Sequence, residues 1–141
     1  MLNPSYVGRS LPATQPVTIT AQSVAAFARS LGFADESTPP PTYLISLTLP
    51  ASNSLVDDPD FGLDFTRVLH REQRFNYLRP VEIGHSLTCT VTVESIKTVA
   101  GNELLSLRTD VAEEGKSGDE AQVAKVWTTL FVAGDAAMEG K

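Results

Sequence analysis

The sequence predicts an α+β domain, with one antiparallel sheet packed on one face by a central helix. Three observations carry that prediction. In the first third of the chain Val24, Phe27, Ala28 and Leu31 recur at the i, i+3, i+4, i+7 spacing of a single helix face. From Val68 onward the period falls to two, most regularly where Leu87, Cys89, Val91 and Val93 alternate with Thr88, Thr90 and Thr92. Turn-forming residues separate the strand patterns, so three hairpin connections in succession predict an antiparallel meander. Helices first and strands afterwards is the order of an α+β chain rather than of alternating βαβ units.

Each element has a local reason. Pro4, Gly8 and Pro12 predict an extended arm from Met1 to Gln15, with a short strand beginning near Val17. Thr20 stands where an N-cap belongs, and Gly32 closes the helix behind it. Pro39, Pro40 and Pro41 lack amide donors and hold the following loop extended. The apolar run from Thr42 to Leu55 reads two ways: Ile45, Leu47 and Leu49 alternate like a strand, while Tyr43, Leu44 and Leu47 fit a helix capped by Thr42, and a short core helix broken near Pro50 is favoured because the run is apolar almost all round. A turn-rich stretch from Val56 to Gly62 leads to the first long strand, on which Arg71, Gln73, Phe75 and Tyr77 share a face before Arg79-Pro80 ends it. Gly101-Asn102 predicts the turn into a strand from Glu103 to Val111, and a polar loop leads to the last strand, Gln122 to Val132. The expected folded unit is 1–134; residues 135–141 are small and polar and are read as a disordered tail.

Composition excludes several function classes. Seventeen acidic against eleven basic residues give a net charge of −6, a field that repels a phosphate backbone, so nucleic acid is not an expected partner. No apolar run approaches the roughly 18 residues of a membrane span, and Met1 to Ser5 lacks the basic-then-apolar build of a secretion signal. A cytoplasmic protein without membrane association is expected. The single Cys89 has no disulfide partner. Asp57, Asp58, Asp60 and Asp64 lack the ordered ligand spacing of a calcium loop, so neither a metal nor another cofactor is expected.

Three blocks carry a family resemblance: Pro39-Pro40-Pro41-Thr42-Tyr43, then Val68 to Tyr77 (VLHREQRFNY), then Arg79-Pro80-Val81-Glu82-Ile83-Gly84. In order and spacing, from about Val7 to Val132, the chain resembles the N-terminal MaoC-like dehydratase family of hotdog proteins, which includes the non-catalytic A-type and C-type subunits of actinobacterial (3R)-hydroxyacyl-ACP dehydratases. The resemblance implies a single hotdog domain whose sheet wraps round the core helix. It also implies an acyl-CoA or acyl-ACP thioester as ligand, and association as a homodimer or as a heterodimer with a catalytic MaoC-like hotdog subunit. Active hotdog hydratases carry Gly-Asp-x-Asn-Pro-x-His after the first helix. Laid on this chain from Gly32, that signature puts Phe33 in the Asp place and Thr38 in the His place, and neither side chain can move a proton. Asp35 falls in the Asn place.

The candidate site residues follow. His70, inside the second block, is the candidate acid/base residue, against a reading as a structural hydrogen-bonding group. In the family the amino end of the core helix receives the thioester carbonyl; here that end lies near Thr42 to Ile45, which makes Thr42 and Tyr43 candidate substrate-binding residues. Ser46, small and polar among Leu44, Ile45 and Leu47, is the candidate pocket wall. His85, Cys89 and Trp127 are read as structural. The expected function is a subunit or homologue of an (R)-specific 3-hydroxyacyl-thioester dehydratase or 2-enoyl-thioester hydratase that shapes the acyl pocket without the catalytic pair. The alternatives are a non-enzymatic acyl-binding or scaffolding dimer, and a hotdog thioesterase using Asp35 or Glu36.

Overall fold

A computed structural model describes residues 1–135; of the expected tail, residues 136–141 lie outside the described residues. Asp135 is described and pairs with Arg67. The first helix, α1 (Ala21–Ser30), starts where Thr20 accepts a hydrogen bond from the Ser23 amide at 3.1 Å, as its N-cap position predicts. Val24 and Ala28 are buried on its inner face, and Phe27 meets Tyr43 edge-on at 5.5 Å.

The core helix α2 (Ile45–Ala51) and the single turn α3 (Asn53–Val56) follow almost without a gap. One expectation is corrected here. Thr42 does not cap α2: the cap position is Leu44, in helical conformation and without a side-chain bond, because bonds spanning three residues from Pro40 onward wind the chain into the helix. The helix does end near Pro50, as expected: Pro50 withholds an amide from the Ser46 carbonyl, and α2 stops one residue later, at Ala51, and turns at Ser52.

The sheet contains β1 (Val17–Thr18), β2 (Val68–Tyr77), β3 (Ser86–Val99), β4 (Asn102–Glu113) and β5 (Gln122–Val132), all antiparallel, in the order β1-β3-β4-β5-β2. It curls around α2, as the resemblance implies. The expected meander is corrected, since β2 pairs with β5 and not with β3. The reason is the connection 78–85, which is too long and too rigid at Pro80 to close a tight hairpin. It runs instead along the end of the sheet. The Leu78 amide donates to the Val123 carbonyl, and the Arg79 guanidinium reaches the Glu120 carbonyl and, at 2.7 Å, the Glu113 carboxylate. Gly84 and His85 then pair with Ile19 beside β3.

The β3–β4 turn lies one residue earlier than predicted. Val99 pairs with Asn102 around a two-residue loop, Ala100-Gly101, in which both φ angles are positive (51° and 82°), as the twist of a tight hairpin requires.

The core has two lobes on the concave side of the sheet. Tyr43, Leu44 and Leu47 pack on Leu87, Cys89 and Val126 in one; Leu55 and Phe61 pack on Val91, Val93 and Leu105 in the other. Each fully buried aliphatic side chain contributes roughly 1.5–3 kcal/mol. The N-terminal arm completes the second lobe with Leu2 and Tyr6 and then lies along β3, where the Gly8, Leu11 and Thr14 amides donate to the Val93, Val91 and Cys89 carbonyls. That edge of the sheet is therefore covered. Among the described residues the opposite edge, β2, is paired on one side only.

Candidate functional site

Between α2 and the concave face of β2, β4 and β5 lies a groove of about 420 Å³, within the roughly 300–1,000 Å³ range of small-molecule sites. Thr48, Leu49 and Pro50 form its helix wall, and Leu107, Thr109, Thr128 and Leu130 its sheet wall. Phe65 and Leu49, 66% and 38% exposed, stand at its rim. The lining is mostly apolar, and among the described residues its one titratable side chain is His70.

Local structure explains how His70 arrives there. A bulge between His70 and Glu72 inserts one extra residue into β2, so residues 70 and 73 come to the same side of the strand. His70 Nε2 lies 2.9 Å from Gln73 Oε1, and Thr128 donates its hydroxyl to the same oxygen at 2.9 Å. Gln73, Thr128 and Leu107 form one cross-strand row over β2, β5 and β4. With its oxygen accepting from Thr128 and meeting the imidazole, the Gln73 amide nitrogen is left buried without a partner among the described residues, as is the Thr48 hydroxyl. Leaving such a group unpaired in a protein interior costs about 1–3 kcal/mol. Thr48 lines the groove, and Gln73 is bonded to two residues that line it, His70 and Thr128.

Of the four residues singled out in the sequence, the groove is lined by His70 alone. Thr42 is exposed on the turn before α2. Tyr43 is buried in the core, its hydroxyl 2.7 Å from Ser23 Oγ, where it ties α1 to the start of α2. Ser46 is exposed, on the side of α2 away from the buried Leu47 and Thr48, and donates to the Tyr43 carbonyl at 2.8 Å. The amides expected to face a thioester carbonyl are already engaged: those of Tyr43, Ile45 and Ser46 donate to the carbonyls three residues earlier.

The positions aligned with the acid/base signature lie elsewhere on the surface. Phe33 is 47% exposed just after α1. Asp35 accepts from the Ser37 hydroxyl and amide at 2.6 and 2.8 Å, bonds that hold its carboxyl below the usual carboxylate range. Glu36 pairs with Arg29 at 2.8 Å. Neither acid lines the groove. Burial pushes the Cys89 thiol up to about 11, so it is not a nucleophile at neutral pH. Trp127 lies on the opposite face of the sheet, with the Arg74 guanidinium 4.2 Å from its ring centroid and Glu94 accepting from its indole at 3.0 Å.

The residues that sequence reasoning passed over are Thr48, Thr109 and Thr128. The signal was present for two of them: Thr109 and Thr128 fall in phase with the buried positions of their strands, where an aliphatic residue is the ordinary occupant.

The comparisons with known proteins agree with this geometry. The profile of the family described as "FAS1-like, dehydratase domain region" matches residues 5–126. A UPF0336 protein of Streptomyces coelicolor is 37% identical, with 92% of this chain and 93% of that protein covered. Among solved structures, the HadBC (3R-hydroxyacyl-ACP dehydratase) complex of Mycobacterium tuberculosis superposes with a TM-score of 0.73 at 19% identity, over 89% of this chain and 96% of that one. A MaoC-like dehydratase from Phytophthora capsici superposes with a TM-score of 0.71 at 21% identity, over 95% of this chain and 51% of that one, so this chain spans about half its length. At these identities the structures speak for the fold. With the curled sheet around α2 and the match over most of its length, the chain belongs to the FAS1-like dehydratase-region family and adopts its MaoC-like hotdog fold.

Proposed function

We propose that this chain is the acyl-accommodating subunit, or a homologue of one, of an (R)-specific 3-hydroxyacyl-thioester dehydratase or 2-enoyl-thioester hydratase, with the acid/base pair supplied by a MaoC-like hotdog partner. The observation that carries the reading is a mostly apolar groove, bordered by Val68 and His70 of the edge strand β2, whose lining among the described residues holds one imidazole and no carboxylate.

The chemistry needs more than that lining offers. Dehydration breaks the C2–H bond and the C3–O bond of the acyl group, forms the C2=C3 double bond and releases water. A base must take the C2 proton while an acid protonates the departing hydroxyl. Among the described residues His70 is the one group at the groove able to do either, and its Nε2 is engaged with Gln73. Phe33 and Thr38 supply no second group, and Asp35 and Glu36 are held by Ser37 and Arg29. The groove walls can bind and orient an alkyl chain, with Leu49, Leu107 and Leu130 excluding water from it. In this reading the β2 edge receives the partner, and the acyl group rides on CoA or an acyl carrier protein.

The test is co-expression with a hotdog protein that carries the complete Asp and His signature, starting with any encoded in a neighbouring reading frame. A stable complex whose hydration rate or chain-length preference differs from that of the partner alone supports the reading. A partner that forms no complex and whose kinetics the chain leaves unchanged favours a scaffolding or binding homodimer instead.

A further inference from the structure

Gln73 does not line the groove, yet its side-chain oxygen is held by two residues that do. His70 Nε2 lies 2.9 Å from Gln73 Oε1, and the Thr128 hydroxyl donates to the same atom at 2.9 Å. An amide oxygen only accepts, so the imidazole donates here: Nε2 carries the proton, and in the neutral ring Nδ1 carries a lone pair. The arrangement has a cost, since Gln73 Nε2 is left buried without a partner among the described residues. Turning the amide by 180° would bring that nitrogen to Thr128 Oγ1 and to an unprotonated His70 Nε2. The turned amide loses His70 as soon as the imidazole takes a proton, because an imidazolium has only donors and would then face another N–H. With the oxygen toward His70, the bond holds in both protonation states.

From this we infer that Gln73 is a positioning residue for His70: it anchors the imidazole through Nε2–H, charged or neutral, and leaves Nδ1 as the one ring nitrogen open to exchange a proton or to accept a hydrogen bond. The β2 bulge makes the anchor possible by bringing residues 70 and 73 to the same side of the strand. Thr128, paired with Gln73 across β5, fixes the amide in turn. His70 itself is exposed, so the ring edge turned away from Gln73 is not sealed in the core. Gln73 has this role whatever the groove holds. On the acyl reading proposed above, neutral His70 offers a ligand an acceptor and no donor, its one N–H being spent on Gln73.

The test is alkylation of the native protein with bromoacetate, which reacts at the imidazole nitrogen that carries the lone pair, followed by tryptic release of the peptide 68–71 and separation of its Nδ1- and Nε2-carboxymethylhistidine. The protein unfolded in urea sets the ratio for a free ring. Native His70 is expected to react at Nδ1 in about tenfold or greater excess over that ratio, the factor that roughly one hydrogen bond held at Nε2 supplies. Gln73→Met should return the product ratio to that of the unfolded chain, whereas Gln73→Glu, which keeps an acceptor at the same place, should preserve the excess. If Gln73→Met does not fold, long-range 1H–15N correlation of the wild-type ring reads the tautomer directly, with Nε2 protonated and Nδ1 bare as the expected result. Reaction mainly at Nε2, no reaction of native His70, an excess that survives in Gln73→Met, or a ring protonated at Nδ1 overturns the inference. None of these results bears on acyl binding, which fails separately if the chain does not alter a competent partner's kinetics.

Discussion

Leu69 is the residue on which association through β2 can be tested most sharply, because it is a leucine 67% exposed on an edge strand that among the described residues is paired on one side only. Fully burying a leucine contributes roughly 1.5–3 kcal/mol, so covering the two-thirds now in solvent contributes about 1–2 kcal/mol. A closed two-fold pairing presents the same side chain from both copies. Leu69→Ser should therefore weaken a homodimer by about 2–4 kcal/mol, a rise of roughly 30- to 700-fold in its dissociation constant. Sedimentation velocity from nanomolar to micromolar protein measures that constant directly. The same substitution should leave the folding stability of the separated chain within about 0.5 kcal/mol, since the side chain packs little within it. A dissociation constant unchanged in Leu69→Ser refutes β2 as the association edge, and a wild-type protein that stays monomeric at micromolar concentration refutes the homodimer itself.

Other outcomes follow from particular contacts. A Cβ on residue 134 would stand 1.9 Å from the Gly101 carbonyl oxygen, so Gly134→Ala should lower stability by about 1–3 kcal/mol, seen as a fall in Tm. At Ala100, whose φ is +51°, Ala100→Asn should raise stability by about 1 kcal/mol by relieving the left-handed strain that asparagine tolerates, measured by urea unfolding. Glu113 is held below the ordinary carboxylate range by its bond from Arg79, with His85 and Lys116 also beside it. Because its folded pKa is depressed, its contribution is complete above the unfolded carboxylate pKa and is lost as pH falls through the folded value. Glu113→Gln should therefore destabilise the protein at neutral pH and differ progressively less from wild type in acid titrations; a constant difference across the titration contradicts the assignment.

What the sequence revealed and what it hid divide by range. Thr20 and the Val24–Ala28 face mark α1 because a cap and a helical period are local facts. The alternation around Cys89 marks β3 for the same reason. Strand order is not local. Nothing within β2 says that its partner is β5, and the structure decides it through the Arg79 bonds that draw the 78–85 connection along the end of the sheet. The site shows the same division. His70 stood out as a proton-transfer residue within a motif, but its meeting with Gln73 depends on the bulge at residue 71. Ser46 drew notice as a small polar residue in an apolar run, whereas the phase of α2 turns Leu47 and Thr48 inward and leaves Ser46 in solvent. Thr48 looks like one more core position until its hydroxyl is found without a partner.

The central claim is that the chain offers an acyl groove without a complete acid/base pair, and the direct measurement is hydration of crotonyl-CoA and longer 2-enoyl-CoA esters by the isolated protein. The account predicts no turnover above the uncatalysed background, for wild type and for His70→Ala alike. Robust hydration by the lone chain, abolished in His70→Ala, contradicts it and makes His70 the acid/base residue of a self-sufficient enzyme.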